Sequence, residues 1–290
     1  MRDNFFVIDD KISILIPTRN RPTNVRKVVH SIMSNAFDSN LVEVVFYVDH
    51  DDRSFPDEII SLNVKKIVGP RLWLSVLQNI LYSHASGEII MYAADDIQFQ
   101  TQNWDQMVRD KFREIDDGIG LVFGNDLGSY GASIALHGFL HRKWINTVGV
   151  WVAPGRGSLY DLWATEVAKD LGRLFYLKDL SIAHIHYRQG EAKAIFDDTY
   201  KTVYSASKSW VPKETYSKLK KERRIDHILL REVMNQKPPI DANYTLAHLV
   251  VSLLDKMKIT SYDQRRILSL SNFQIIPILT RNLIKFIIKK

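Results

Sequence analysis

The sequence of 290 residues contains no cysteine. That excludes a disulfide framework, a thiolate-held metal and a cysteine nucleophile. It also agrees with a reducing compartment. No apolar run approaches the roughly 20 residues needed to span a bilayer. The opening Met1-Arg2-Asp3-Asn4 lacks the apolar segment of a secretion signal. A cytoplasmic protein is therefore expected. No internal repeat and no low-complexity tract is visible. Acidic residues are the minority: 33 against 39 Lys and Arg leave a formal charge of +6, which favours anionic partners such as nucleotides, nucleic acid or an anionic membrane. What is present is a 46% hydrophobic content, ample for a core, in a chain longer than the usual single domain. One large domain with an appended piece is the expectation.

Apolar runs alternate with helical patterns along the chain. Residues 11–17 read as a buried strand that Pro17 ends. Thr23 is placed to cap a helix over 25–34, with Val25, Val28, Val29 and Ile32 on one face. Residues 41–48 form a second strand running into Asp49-His50-Asp51-Asp52. Residues 64–68 form a third, closed by Gly69-Pro70. A helix over 71–83 turns Leu74, Leu77 and Leu81 inward, and 88–94 is the fourth strand. Then follow a helix over 104–115, a strand at 120–123 and a loop-rich segment at 124–138 with four glycines. A flexible stretch at 153–158 precedes a helix that starts at 159 and ends by Gly172, and short strands lie at 174–177 and 180–186. This order predicts an α/β fold with a mostly parallel, doubly wound sheet. Beyond Tyr187 the chain is polar, then basic at Lys213, Lys218, Lys220, Lys221, Arg223 and Arg224. Helical patterns cover 243–258 and 263–290.

The chain is organised around the run Ile89-Ile90-Met91-Tyr92-Ala93-Ala94, which ends in Asp95-Asp96. An apolar run bounded by glycine and aspartate suits a strand buried on both faces. The carboxylates belong where it emerges, and in open α/β sheets that edge binds ligands. Adjacent carboxylates repel unless a cation lies beside them. Mg²⁺ or Mn²⁺, which also bind phosphate oxygens, suit the position. A solvated turn or a helix N-cap is the plain alternative. Ala183-His184-Ile185-His186 places two imidazoles on one face of a strand.

With these motifs in view, Ile14-Leu15-Ile16-Pro17-Thr18-Arg19-Asn20-Arg21-Pro22 resembles the opening strand and loop of GT-A-fold, family-2-like glycosyltransferases. Asp49 is similar to that family's uracil-contacting position. Gln78-Asn79 and Ala85-Ser86-Gly87-Glu88-Ile89-Ile90 resemble the lead into its metal motif. Ala94-Asp95-Asp96 is similar to the DxD motif, with alanine in the first place. The resemblance covers about residues 11–187.

The resemblance implies a Rossmann-like GT-A domain over 1–205 and a helical, basic region over 206–290. It implies metal-dependent transfer of a sugar from a nucleotide-sugar, a UDP-sugar above all, to a hydroxyl acceptor. Asp96 then binds the divalent cation, completed by His184 or His186, between which the sequence does not choose. Asp95 contacts sugar or ribose hydroxyls, or the metal through water. Pro17, Thr18, Arg19, Asp49 and Arg71 line the donor, the arginines as bidentate partners of a diphosphate or base. Inverting transfer needs a base, and Asp161, at a helix start before Leu162-Trp163, takes that place. A first-turn carboxylate explains Asp161 equally well. Trp151 and Trp163 are candidates for an acceptor wall by aromatic stacking.

Two acceptors remain open. The segment 190–200 resembles a tail of phage-encoded glycosyltransferases, some of which act on hydroxymethylated pyrimidines in DNA. The basic run could follow a phosphate backbone, and the location would then be the host cytoplasm. Alternatively, 275–290 forms an interfacial helix of a peripheral membrane enzyme acting on a surface glycan. A non-catalytic nucleotide-binding module would not need Asp96, Asp161 and a late histidine together. A nucleotidyltransferase would carry a glycine-rich loop after the first strand. The oligomeric state is not legible.

Overall fold

The structure is a computed structural model. It describes residues 11–72, 74–128, 130–149, 160–185 and 213–234. Trp151, His186, the segment 190–200 and the helical patterns at 243–258 and 263–290 lie outside the described residues.

Among the described residues, eight strands form one sheet: β1 (Ile12–Thr18), β2 (Val42–Asp49), β3 (Val64–Gly69), β4 (Ile89–Tyr92), β5 (Ile97–Phe99), β6 (Leu121–Asn125), β7 (Gly138–His141) and β8 (Leu174–His184). Their spatial order is β3-β2-β1-β4-β7-β6-β8-β5. β1 to β4 are mutually parallel, and β6 and β8 are parallel to each other. β7 runs antiparallel between β4 and β6, and β5 antiparallel to β8. The sheet is thus mixed but mostly parallel, as the alternating pattern requires.

Among the described residues, the α-helices are α1 (Pro22–Asn35), α2 (Leu74–His84), α3 (Trp104–Arg113), α4 (Arg142–Val148), α5 (Tyr160–Leu171) and α6 (Lys213–Val233). Strand alternation divides the core. Ile12, Ile14 and Ile16 of β1 pack with Val25, Val28 and Ile32 of α1 and Trp104, Val108 and Phe112 of α3. Leu15 faces the other way, into a cluster holding Leu77 and Leu81 of α2, Trp144 of α4, Val167 of α5 and Leu230 of α6. Cutting one of these buried chains to alanine costs about 2–5 kcal/mol. Leu230 and Met234 belong to this core, and α6 packs against α4 and α5.

Several local expectations shift. Thr23 does not cap α1: the helix begins at Pro22, Arg21 is the N-cap, and no side chain bonds the free amides. Proline needs no partner for its absent N–H and has its φ preset for a first turn. Helix α2 begins at Leu74, so Arg71 precedes it in an exposed segment. The two short strands at 174–177 and 180–186 are one strand, β8, whose pairing with β6 slips between Gly124 and Asn125. Exposed Lys178 and Asp179 sit in the slip, which is why the apolar pattern looked interrupted.

Pro17 falls within β1, not at its end, paired with Tyr47. The Leu15 carbonyl accepts from Ala93 on the β4 side at 3.0 Å. In a parallel strand alternate residues bond to the same neighbour, so the N–H that Pro17 lacks would face β4. β4 pairs with β1 only as far as Leu15. The two strands part there. At the opposite edge, Gly87 donates to Ser13 Oγ at 2.8 Å. A Cβ on Gly87 would stand 2.5 Å from the Lys11 carbonyl, so only glycine lets β4 start in this register.

Candidate active site

The acidic pair lies in the turn between β4 and β5, at the edge where β1 and β4 have separated. Both residues are buried, Asp95 4% and Asp96 9% exposed. Asp95 accepts from Thr18 Oγ1 at 2.6 Å and from Arg21 Nη1 at 2.9 Å. Burial pushes the Asp95 carboxyl above its usual range against the pull of Arg21, and Asp96 next to it adds to the push. Arg21 is a site residue the sequence reading passed over. Its signal was the second arginine of Thr18-Arg19-Asn20-Arg21.

The short ladder of β5 on β8 pairs Ile97 with His184. That register brings the imidazole to Asp96, with His184 Nε2 3.4 Å from Asp96 Oδ1. The Ile185 amide donates to the Asp96 carbonyl at 2.8 Å and fixes the turn. Burial pulls the His184 imidazolium down, but Asp96, helped by Asp126 and Asp161, more than offsets it, and the net shift is upward. His137, which sequence reasoning also missed, stands edge-on to His184 with ring centroids 4.8 Å apart. Burial drives its own pKa down to about 3, with His184 pushing the same way.

Asp161 opens α5 and is half-buried. Its Oδ1 accepts from the Leu162 amide at 2.7 Å. Burial nevertheless raises its pKa to about 6, against the Leu162 amide, its own amide and the nearby His184. Tyr160, beside it, stacks edge-to-face on Tyr92 of β4 at 5.3 Å, which fixes the start of α5 to the strand that leads into the acidic pair.

Arg19 is held at the end of β2. Its guanidinium donates to Asp49 Oδ2 at 2.8 Å and to both oxygens of Asp51, one of these at 2.8 Å. Its hydrogen bonds to Asp51 and Asp49 hold its proton far more tightly than usual, despite partial burial. Asp49, 6% exposed at the end of β2, therefore shares one oxygen with Arg19. Arg71 is exposed ahead of α2.

Trp163 is 5% exposed. Its Nε1 donates to Asp226 Oδ2 of α6 at 2.6 Å, and the Arg223 guanidinium lies over its ring at 5.5 Å. Arg223 also pairs with Glu166 at 2.7 Å. In the described structure, then, the Trp163 ring and one arginine of the basic run join α5 to α6.

Among the described residues, no three His, Asp or Glu side chains converge to enclose a metal ion. Asp96 and His184 do offer a carboxylate and an imidazole side by side. Such a donor set fits a divalent cation that keeps several waters and takes its remaining ligands from phosphate oxygens.

A mixed α/β sheet with an acidic turn at the carboxyl end of its fourth strand agrees with the GT-A-type architecture that the sequence resemblance implies. Residues 13–133 match the family model described as glycosyl transferase family 2. Solved structures similar to it include S. aureus TarS 1-349, with a TM-score of 0.49 and 13% identity over 92% of this chain and 88% of that chain. Another is the mannosyltransferase PcManGT from Pyrobaculum calidifontis in complex with GDP-Man and Mn²⁺, with a TM-score of 0.49 and 14% identity over 94% of this chain and 87% of that one. No curated protein matches the sequence. Among the described residues, no helix is long and apolar enough to cross a membrane.

Proposed function

We propose that the protein transfers a sugar from a nucleotide-sugar to a hydroxyl acceptor, with a divalent cation at Asp96 and His184 and with inversion at the anomeric carbon. The observation that carries this reading is the contact of Asp96 with His184 beside a second, separately held carboxylate, Asp95. A bound Mn²⁺ or Mg²⁺ would neutralise the charge that develops on the departing diphosphate. Asp96 and His184 would hold it. Asp95, fixed by Thr18 and Arg21, accepts hydrogen bonds from sugar or ribose hydroxyls. Asp49 keeps one carboxylate oxygen for the base of the nucleotide, where a uracil N3–H is a fitting donor. Pro17 and Thr18 form the floor at the end of β1, and Arg71, in the exposed segment after β3, supplies a positive charge for the diphosphate. Asp161 takes the proton of the attacking hydroxyl; a pKa near 6 keeps it ionised at neutral pH while leaving it basic enough to serve.

For the acceptor, we propose a hydroxymethylated pyrimidine in DNA, with a surface glycan as the alternative. The basic sequence of α6, with six Lys and Arg between 213 and 224, supports the first. Trp151, the residues 275–290 and the choice between His184 and a contribution from His186 belong to segments outside the described residues. The test incubates the protein with a panel of nucleotide-sugars and Mn²⁺ and measures nucleotide release. Release from one donor, lost in Asp96→Ala, is expected. No release from any donor, or equal release by the variant, overturns the proposal.

A further inference from the structure

Two buried polar side chains beside the site have no use in the arrangement above. His137, in the segment leading into β7, is 8% exposed, and neither ring nitrogen has a hydrogen-bond partner. Asp126, just after β6, is 6% exposed. Its Oδ1 accepts from the Gly128 amide at 2.9 Å, whereas Oδ2 has no partner. Both residues line one small pocket, with Gly124, Ile134, Leu136 and Ile182 as its other walls.

The pocket adjoins the proposed metal pair. The His184 amide donates to the Asp126 carbonyl at 3.1 Å, and the His137 ring meets the His184 ring edge-on. A buried polar group without a partner costs about 1–3 kcal/mol, so two such groups facing one space mark a place that something else completes. The chemistry of the walls restricts what that is. A carboxylate accepts only, and a neutral imidazole offers one donor and one acceptor. Phosphate would meet the Asp126 charge, and an apolar group would leave all three atoms unsatisfied. A hydroxyl satisfies both residues at once, donating to Asp126 Oδ2 and accepting from the His137 ring N–H.

We propose that Asp126 and His137 form a subsite that takes one hydroxyl of the transferred sugar and so selects among donors. The subsite rests on the nucleotide-sugar reading. The test is calorimetric, in Mn²⁺, with UDP, UDP-glucose, GDP, GDP-mannose and the monodeoxy analogues of whichever sugar donor the wild type binds. The variants are Asp126→Asn and His137→Phe, each checked by thermal melting. Asp126→Asn is isosteric and carries the test if His137→Phe fails to fold. Each variant is expected to bind the intact donor about tenfold more weakly while binding the nucleoside diphosphate as before. One monodeoxy donor should bind the wild type equally weakly and lose nothing further in the variants. Unchanged donor binding means that the pocket holds only a structural water, and the subsite is overturned. A fall in Mn²⁺ affinity without nucleotide makes the residues metal ligands and also overturns it. A wild type that binds UDP or GDP but no sugar donor fails the glycosyltransferase reading itself, and the subsite with it.

Discussion

Thr18 and Asp95 lie 77 positions apart in the sequence and are joined by a hydrogen bond of 2.6 Å. The bond ties the end of β1 to the turn after β4, across the gap that opens once the two strands stop pairing. Arg21, at the N-cap of α1, closes the other side of the same carboxylate. One acid is thereby fixed by protein groups, leaving its neighbour Asp96 to face His184.

Arg21→Met should expose the cost of that arrangement. The Arg21 side chain is 11% and the Asp95 side chain 4% exposed. Removing one member of a buried pair strands the other and costs about 3–5 kcal/mol. Asp95 already has a raised pKa, and losing Arg21 raises it further. Protonation then relieves the stranded charge. Urea denaturation should show a large loss at pH 8 that shrinks towards pH 5. A loss independent of pH would mean that Arg21 acts by packing alone.

Asp161 gives a pH limb to the reaction. A base works only when ionised, and burial has raised this one to about 6. Nucleotide release at low donor concentration should fall about tenfold per pH unit below that value. Asp161→Asn should lower the rate about 10²–10⁴-fold and remove the limb, while leaving nucleoside diphosphate affinity intact. A variant that keeps the limb places the base elsewhere.

Glu43 should govern acid stability. Although fully buried, it accepts from Ser13 Oγ at 2.6 Å and from the Ser86 amide at 2.6 Å, and it pairs with Lys65 at 2.8 Å and Lys11 at 3.2 Å. Burial raises its pKa, but Lys65, Ser13 and Ser86 together overcome this and bring it to about 2. The folded value lies below the unfolded one, so the stabilisation is complete above about pH 4.5 and is lost as the pH falls towards 2. Glu43→Gln should be less stable by about 2 kcal/mol at pH 7, with the gap to the wild type closing below pH 4 in thermal melts.

Much of this was legible in the sequence because buried strands write their own pattern. The β-branched runs at β1, β2 and β3 and the apolar run ending in Asp95-Asp96 needed only periodicity and the cost of burying charge. The edge on which the acids emerge followed from the same argument. What stayed hidden depends on pairing between distant segments. His184 reaches Asp96 through the β5–β8 register, and a three-residue strand such as β5 carries too little pattern to be seen. His137 and Asp126 sat in a glycine-rich stretch whose composition says only that the chain turns. Arg21 looked like a loop charge, because nothing local shows that the residue before Pro22 would lean across to the end of β4.

Trp163 is where residue type and position pull apart. An aromatic near a candidate base suggests an acceptor wall, yet its indole N–H is given to Asp226 and one ring face to Arg223. Both partners lie on α6, so the side chain anchors that helix to α5. Trp163→Phe keeps most of the apolar surface but removes the only donor on the ring, leaving Asp226 short of a bond at a cost of about 1–3 kcal/mol. For a chain of this size that corresponds to a fall in Tm of roughly 2–10 °C. Asp226→Asn should cost less in the wild type, since an amide oxygen still accepts. In the Trp163→Phe background it should cost almost nothing, because the bond is already gone. Differential scanning calorimetry of the two single variants and the double variant measures the coupling. A Trp163→Phe protein that melts like the wild type would return this tryptophan to the acceptor side.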